Sequence, residues 1–216
     1  MPGLFVTFEG GEGSGKSTQV ARLAARLRSL GIDPLVTREP GGTPLAEGIR
    51  ALLLDPDRKP EPLAEAFLME AARAQLVATL IAPALAQGRV VLCDRYADST
   101  LAYQGAGRGL DAAMLASWNH AATGGLVPAL TLLFDVVPDL GLARRQGAPG
   151  VPNRLDREPE DFHGRVRARF LELAAAEPAR WVVLDAALAA EELEARVWEA
   201  LSARLPAAAR PGARRA

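Results

Sequence analysis

The sequence predicts a doubly wound α/β domain built on a five-stranded parallel sheet, and three observations carry that prediction. Its apolar segments are short continuous runs, as strands buried on both faces require. Segments with apolar residues at helical spacing separate those runs, so each strand is expected to lead into a covering helix. The glycine-rich loops at 10–18, 38–43 and 94–108 all follow strands. That places them together at the carboxyl edge of the sheet, where open α/β folds collect ligands.

Residues 3–9, GLFVTFE, form the first buried run, followed by a glycine loop. In residues 17–31, Val20, Leu23, Ala24, Leu27 and Leu30 recur at helical spacing and the pattern stops at Gly31, a helix-ending glycine. PLVT at 34–37 is a short second strand, REPGGTP a loop, and helices are expected at 44–54 and 62–87, the latter ending before Gly88. RVVLCD at 89–94 is the third strand, closed by Asp94. A polar, glycine-rich loop is expected next, before a helix near 111–122. ALTLLFDV at 129–136 is the fourth strand. A short helix, an Arg/Gly/Pro-rich segment at 144–159 and a helix through about 176 come after it. RWVVLDA at 180–186 is the fifth strand, and a last helix runs to about 204. This assigns 1–206 to a single domain with a lid at about 144–159, and 207–216 to a disordered tail.

A chain of 216 residues buries on the order of 70% of its unfolded surface and needs no covalent staples. With 49% hydrophobic residues and a formal charge of −1, nothing general points to nucleic-acid or membrane binding. The single cysteine, Cys93, excludes an internal disulfide and reads as a small buried hydrophobe. His120 and His163 lie too far apart in sequence to suggest a histidine metal cluster. The longest apolar stretch, 76–86, is too short to span a bilayer and carries Pro83. No signal peptide is visible, so a cytoplasmic enzyme is expected.

GGEGSGKS, residues 10–17, satisfies G-x-x-x-x-G-K-[ST] after a strand and at the opening of a helix, the context that makes this motif a phosphate loop. Gly10, Gly11, Gly13, Ser14, Gly15 and Thr18 supply backbone that can converge on phosphate oxygens, and the helix N-terminus adds about half a positive charge. Lys16, one of only two lysines with Lys59, can reach the β- and γ-phosphates, and Ser17 can ligate Mg²⁺. Asp94, ending a neighbouring apolar strand, suits the same metal. ATP or GTP with Mg²⁺ is therefore expected. A GTPase would need a base-reading Asn-Lys-x-Asp, which lysines at 16 and 59 cannot supply. A carboxylate, Glu12, nevertheless sits within the loop, where it must face something other than phosphate.

FEGGEGSGKST (8–18), TREPGGT (37–43), AARAQL (71–76), DRYADSTLAYQGAGRG (94–109) and NRLDRE (153–158) stand in the order and spacing of bacterial thymidylate kinases, and the chain resembles that family from Leu4 to about Leu201. The resemblance implies a P-loop nucleoside monophosphate kinase architecture with a lid. It also implies transfer of the ATP γ-phosphoryl group to dTMP, in support of dTTP synthesis, by a homodimer. It implies that Arg38 and Arg95 grip the acceptor phosphate, that Arg73 hydrogen-bonds the thymine carbonyl, and that Tyr103 and Gln104 close over base and sugar. Ser99 and Thr100 line the base pocket on the same reading, whereas Asn119 and His120 read as helix-surface residues. Glu12 matches a loop carboxylate turned toward the acceptor's 3′-hydroxyl. Some family members carry arginine at the next position, where this chain has Gly13, so cations must come from elsewhere. Arg154 matches the lid arginine, with Arg144, Arg145 and Arg157 as weaker candidates. Where the family stacks phenylalanine on thymine this chain has Met69. Either Met69 substitutes or Phe67 covers the base from another angle. Lys16, Arg95 and a lid arginine would stabilise the phosphoryl group in flight, without a covalent intermediate. The alternatives are a kinase of another nucleotide or nucleoside, and a nucleotide-binding regulator without turnover.

Overall fold

The computed structural model describes residues 3–147 and 153–205. Five strands form one parallel sheet: β1 (Leu4–Gly10), β2 (Leu35–Arg38), β3 (Val90–Asp94), β4 (Leu130–Asp135) and β5 (Trp181–Asp185), in the order β2-β3-β1-β4-β5. The expected fold is therefore present. The expected tail at 207–216 and residues 148–152 of the expected lid lie outside the described residues.

Alternation along the strands separates two buried layers. Val6, Phe8, Leu92, Leu130, Leu132 and Phe134 face one way. There they meet Val20, Leu23 and Leu27 of α1 (Lys16–Ser29) and Leu193, Val197 and Leu201 of the last helix, Ala190–Ser202. On the opposite face, Phe5, Val91 and Cys93 pack on the long helical rod that precedes β3. Leu133 and Trp181 meet the helix Glu160–Ala176 through Phe162, Val166 and Phe170. Cys93 is fully buried, as a small hydrophobe would be.

After β2 come α2 (Pro44–Leu54) and α3 (Pro62–Leu76), packed through Ala46, Ile49, Leu53, Met69 and Ala72. The helix expected at 62–87 is not uniform: α3 widens into a π turn, Val77–Ile81, before α4 (Ala82–Ala86). Pro83 has no N–H for the carbonyl four residues back and its ring crowds it, so the backbone loosens there. The rod Pro62–Ala86 is long and apolar enough by composition to cross a membrane, with a mean hydropathy of 1.3 in its most apolar window. Its Glu65, Glu70 and Arg73 are buried in ion pairs within the domain, as in a core helix.

The segment after β3 differs from expectation. Residues read as a glycine-rich loop form α5 (Ala97–Thr100) and a π-helical stretch, Leu101–Gly107. Its glycines serve close packing: a Cβ on Gly107 would sit 2.5 Å from the Phe162 ring. Burial of Ala102 and Tyr103 against Phe162 and Phe170 outweighs the low helix propensity of glycine. The remaining helices are α6 (Ala112–Thr123), α7 (Pro138–Gly147), α8 (Glu160–Ala176) and α9 (Ala190–Ser202), with a 3₁₀ turn at Leu155–Arg157.

Candidate functional site

The parallel register brings the carboxyl ends of three strands to one edge: Phe8 pairs with Asp94, and Asp94 with Arg38. A cavity of about 480 Å³ opens there, lined by the loop Glu12–Thr18, by Arg38, Glu39, Arg50, Asp94 and Arg95, and by Arg144, Arg145 and Asn153. It has the size of a small-ligand site, with walls that are mainly cationic.

On its loop side, α1 starts at Lys16 after Gly15 in the left-handed conformation, and its first turn holds no acidic residue, so its dipole is free to face an anion. Lys16 is buried and folds back on the loop, its Nζ donating to Gly10 O at 3.0 Å, Gly11 O at 2.7 Å and Ser14 Oγ at 3.1 Å. Burial, reinforced by the nearby Arg95 charge, lowers the Lys16 ammonium to about 8, against the pull of Asp94 and Glu12. Ser17 Oγ donates to Asp94 Oδ2 at 2.5 Å. That pair of hard oxygens at the helix start is a fitting anchor for Mg²⁺, which takes one or two protein oxygens plus phosphate and water. Among the described residues no cluster of three or more His, Cys, Asp or Glu offers a protein-only cage.

Arg95 organises the other side. It has a left-handed backbone (φ 70°), an uncommon state for a non-glycine residue, held by its N–H on Phe8 O at 2.9 Å. Its guanidinium donates to Gly10 O and Ser99 Oγ, pairs with Glu12 Oε1 at 2.8 Å, and lies 4.8 Å from the Tyr103 ring centroid. Tyr103 also donates to Glu12 Oε1, at 2.8 Å. The loop acid thus faces Arg95 and Tyr103. Burial would raise its pKa, but Arg95, Lys16 and the Tyr103 hydroxyl bring it down to about 2. Ser99 donates to Glu9 Oε2, whose carboxyl burial and the neighbouring Asp98 push up to about 8.

Arg73, expected to hydrogen-bond the thymine carbonyl, is wholly buried. It pairs with Glu39 at 2.8 Å and Glu70 at 2.6 Å, and donates to Thr100 Oγ1, Asn119 Oδ1 and Tyr96 O. Asn119 is therefore no surface residue, which corrects that expectation: α6 packs against α3 and buries it on the guanidinium. Burial pushes the Glu39 carboxyl up to about 7 against the pull of Arg73. Met69 is buried beside Ile49 and Leu53. Phe67 is 52% exposed and stacks on Trp118 at 4.6 Å, turned away from that core. Of the two residues considered for the base, the buried stripe holds Met69.

Arg38 lines the cavity while bound to both oxygens of Glu47 at 2.9 Å. Arg154 is not brought to the cavity. It is buried with Glu65 at 2.5 Å and Leu53 O at 3.1 Å, because the 3₁₀ turn seats it against α2 and α3. The arginines from that region that line the phosphate-loop cavity are Arg144 and Arg145. Arg157 lines a second cavity, with Arg108 and Arg154. Sequence reasoning missed Arg50, which reaches Pro40 O and the cavity wall from α2, and Glu39. Arg50 lies next to the apolar face of a helix, and only the loop folded over it reveals its direction. Glu39 sits inside the TREPGGT motif and could have been singled out there.

A thymidylate kinase family model matches residues 8–197. A thymidylate kinase of Deinococcus radiodurans is 55% identical over 202 residues, spanning 94% of this chain and 98% of that protein. One from Thermomicrobium roseum is 55% identical over 194 residues, 90% and 92% of the two chains. The crystal structure of a thymidylate kinase from Ehrlichia chaffeensis superposes with a TM-score of 0.76 at 31% identity, covering 93% of this chain and 99% of that one.

Proposed function

The chain belongs to the thymidylate kinase family, and from that premise we propose that ATP is its donor, Mg²⁺ its metal and the cavity between Lys16 and Arg95 the place of transfer. Its reaction is the phosphorylation of dTMP to dTDP. The observation that carries the site reading is the two-sided lining of one cavity. Lys16 and the Ser17–Asp94 pair stand on one side, the Arg95–Glu12 pair on the other, with Tyr103 bonded to Glu12 behind it.

In this reading the β- and γ-phosphates of ATP take up backbone N–H groups of Gly13, Ser14, Gly15, Ser17 and Thr18. Lys16 exchanges its carbonyl partners Gly10 and Gly11 for phosphate oxygens. Ser17 and Asp94 would hold Mg²⁺, which neutralises charge on the phosphate oxygens when bound. Arg95 and Arg38 grip the dTMP phosphate, with Arg50 as a third cation on that wall. A phosphate oxygen of dTMP attacks the γ-phosphorus as the bond to the bridging oxygen breaks and ADP departs. The protein contributes alignment and positive charge. Glu12, ionised and held by Arg95 and Tyr103, is turned to the acceptor side, where its charge does not oppose ATP. Arg73, Met69, Ser99, Tyr103 and Gln104, buried and outside the lining of that cavity, make up the acceptor wall that would meet the base and sugar of dTMP. Arg144 and Arg145 are the lid cations placed to reach ATP; Arg154 acts from the acceptor side through Glu65.

Assembly as a homodimer in the cytoplasm belongs to the same proposal. Leu52, Leu63 and Phe67 leave an exposed apolar face on α2 and α3, extended by Trp118, that a second copy would cover. The purified protein, given ATP or GTP, Mg²⁺ or EDTA, and each nucleoside monophosphate in turn, tests the whole reading by ADP or GDP release. ATP, Mg²⁺ and dTMP together should give the fastest turnover. A faster donor than ATP, or turnover surviving EDTA, would overturn the donor or metal assignment.

A further inference from the structure

Glu65 lies in the middle of α3 with its side chain 2% exposed, and four bonds converge on its carboxylate. Oε1 accepts from Gln104 Nε2 at 2.7 Å and Arg108 Nε at 3.3 Å. Oε2 accepts from Arg154 Nη2 at 2.5 Å and Arg108 Nη2 at 3.2 Å. A buried carboxylate with two guanidinium partners stays ionised. Burial pushes its pKa upward, but the bonds from Gln104 and the charges of Arg108 and Arg154 outweigh that and hold it below the ordinary range.

An ionised carboxylate can only accept hydrogen bonds. The amide of Gln104 must therefore turn its NH₂ end to Glu65, which leaves Gln104 Oε1 buried and without a protein partner among the described residues. A buried bare carbonyl is costly unless something donates to it. Glu65, Met69 and Arg73 occupy positions i, i+4 and i+8 of α3, one stripe. The facing segment meets this stripe through Thr100 at Arg73 and Gln104 at Glu65.

We propose that Glu65 is a positioning residue for base selection: it fixes the amide of Gln104 with the carbonyl turned away from the carboxylate, a buried acceptor for the ring N3–H of thymine. This rests on the acceptor wall proposed above. A cytosine ring presents a bare acceptor nitrogen at N3, so a fixed Gln104 carbonyl opposes it, acceptor against acceptor. Sites whose buried polar groups match one partner reject the mismatched one far more strongly than a methyl group is rejected.

The substitution Glu65→Gln tests the idea with almost no change of shape. Arg154 and Arg108 retain the single remaining oxygen, so the new amide offers its NH₂ to Gln104, which must flip and present NH₂ to the base. The kcat/KM ratio of dTMP over dCMP is expected to fall at least tenfold, about 1.4 kcal/mol, mainly through a higher KM for dTMP. Glu65→Asp, which keeps the charge, should recover part of the ratio. An unchanged ratio with equal losses for both acceptors would reduce Glu65 to a structural ion-pair partner and overturn the proposal. If wild-type protein does not prefer dTMP, the acceptor reading itself fails; if it does and Glu65→Gln keeps the ratio, only the Glu65 assignment fails. Thermal melting reports whether Glu65→Gln is folded. Should it not be, Arg108→Ala gives the second reading: a smaller fall of the same ratio is expected, and an unchanged ratio overturns the proposal.

Discussion

Gly13→Ala isolates the contact that shapes the phosphate loop. Gly13 has φ +65°, and a Cβ there would lie 1.9 Å from Gly141 O and 2.7 Å from Gly141 C, both backbone atoms of α7. The left-handed conformation costs an alanine about 1–2 kcal/mol. Bringing the overlap to even 3.0 Å requires a backbone shift of about 1.1 Å, and such overpacking costs about 1–3 kcal/mol. The sum, about 2–5 kcal/mol, corresponds to roughly 4–20 °C in Tm for a chain of this size. The shift falls on the residue between Glu12 and Ser14, so activity should drop even at temperatures where the variant is folded. The assays are differential scanning calorimetry and steady-state kinetics with dTMP and ATP at 20 °C below the variant's Tm. A variant with wild-type Tm and kcat/KM would show that no relaxation was needed and that the contact does not shape the loop. The same contact bars an arginine at this position unless α7 moves, a physical reason for the loop to draw its cations from Arg144 and Arg145.

Three further outcomes follow from the site. Ser17→Ala should raise the Mg²⁺ concentration for half-maximal activity by about tenfold, read from a Mg²⁺ titration at fixed ATP; an unchanged titration curve would remove Ser17 from the metal site. Phe67→Ala should leave the KM for dTMP within about twofold, because its ring stacks on Trp118, whereas Met69→Ala should raise it by about tenfold; the reverse order would return the base to Phe67. Glu9 binds its proton more tightly folded, with a pKa near 8 against 4.5 in the unfolded chain, so its contribution is full below pH 4.5 and is lost as pH rises toward 8. Urea unfolding from pH 5 to 8 should therefore show wild-type protein losing stability relative to Glu9→Gln, and parallel profiles would refute the shift.

The fold was legible because its signals are local. Continuous apolar runs such as 89–94 and 129–136 became β3 and β4 within a residue at each end, and Gly31 and Gly88 follow the helices they were expected to end. The stretch 95–107 was misread because Gly107 reports packing against Phe162, a residue distant in sequence, rather than a loop. Asn119 was misread for a related reason: its side chain is committed to Arg73 on another helix, and no local pattern marks such a pair.

The phosphate loop, the five strands that present it and the roster of charged groups around it can all be read from local residue patterns. A glycine-rich turn between a buried strand and a helix has few other physical solutions. How those charges are paired depends on the packing of distant elements. That packing turned Glu12 to Arg95 and Tyr103, withdrew Arg154 to Glu65, buried Arg73 between Glu39 and Glu70, and raised Arg50 to the cavity wall. Pairing is set by distance and burial between elements far apart in the chain. Local propensity can place a charge on an element, but the partner that satisfies it once water is excluded appears only when the elements pack.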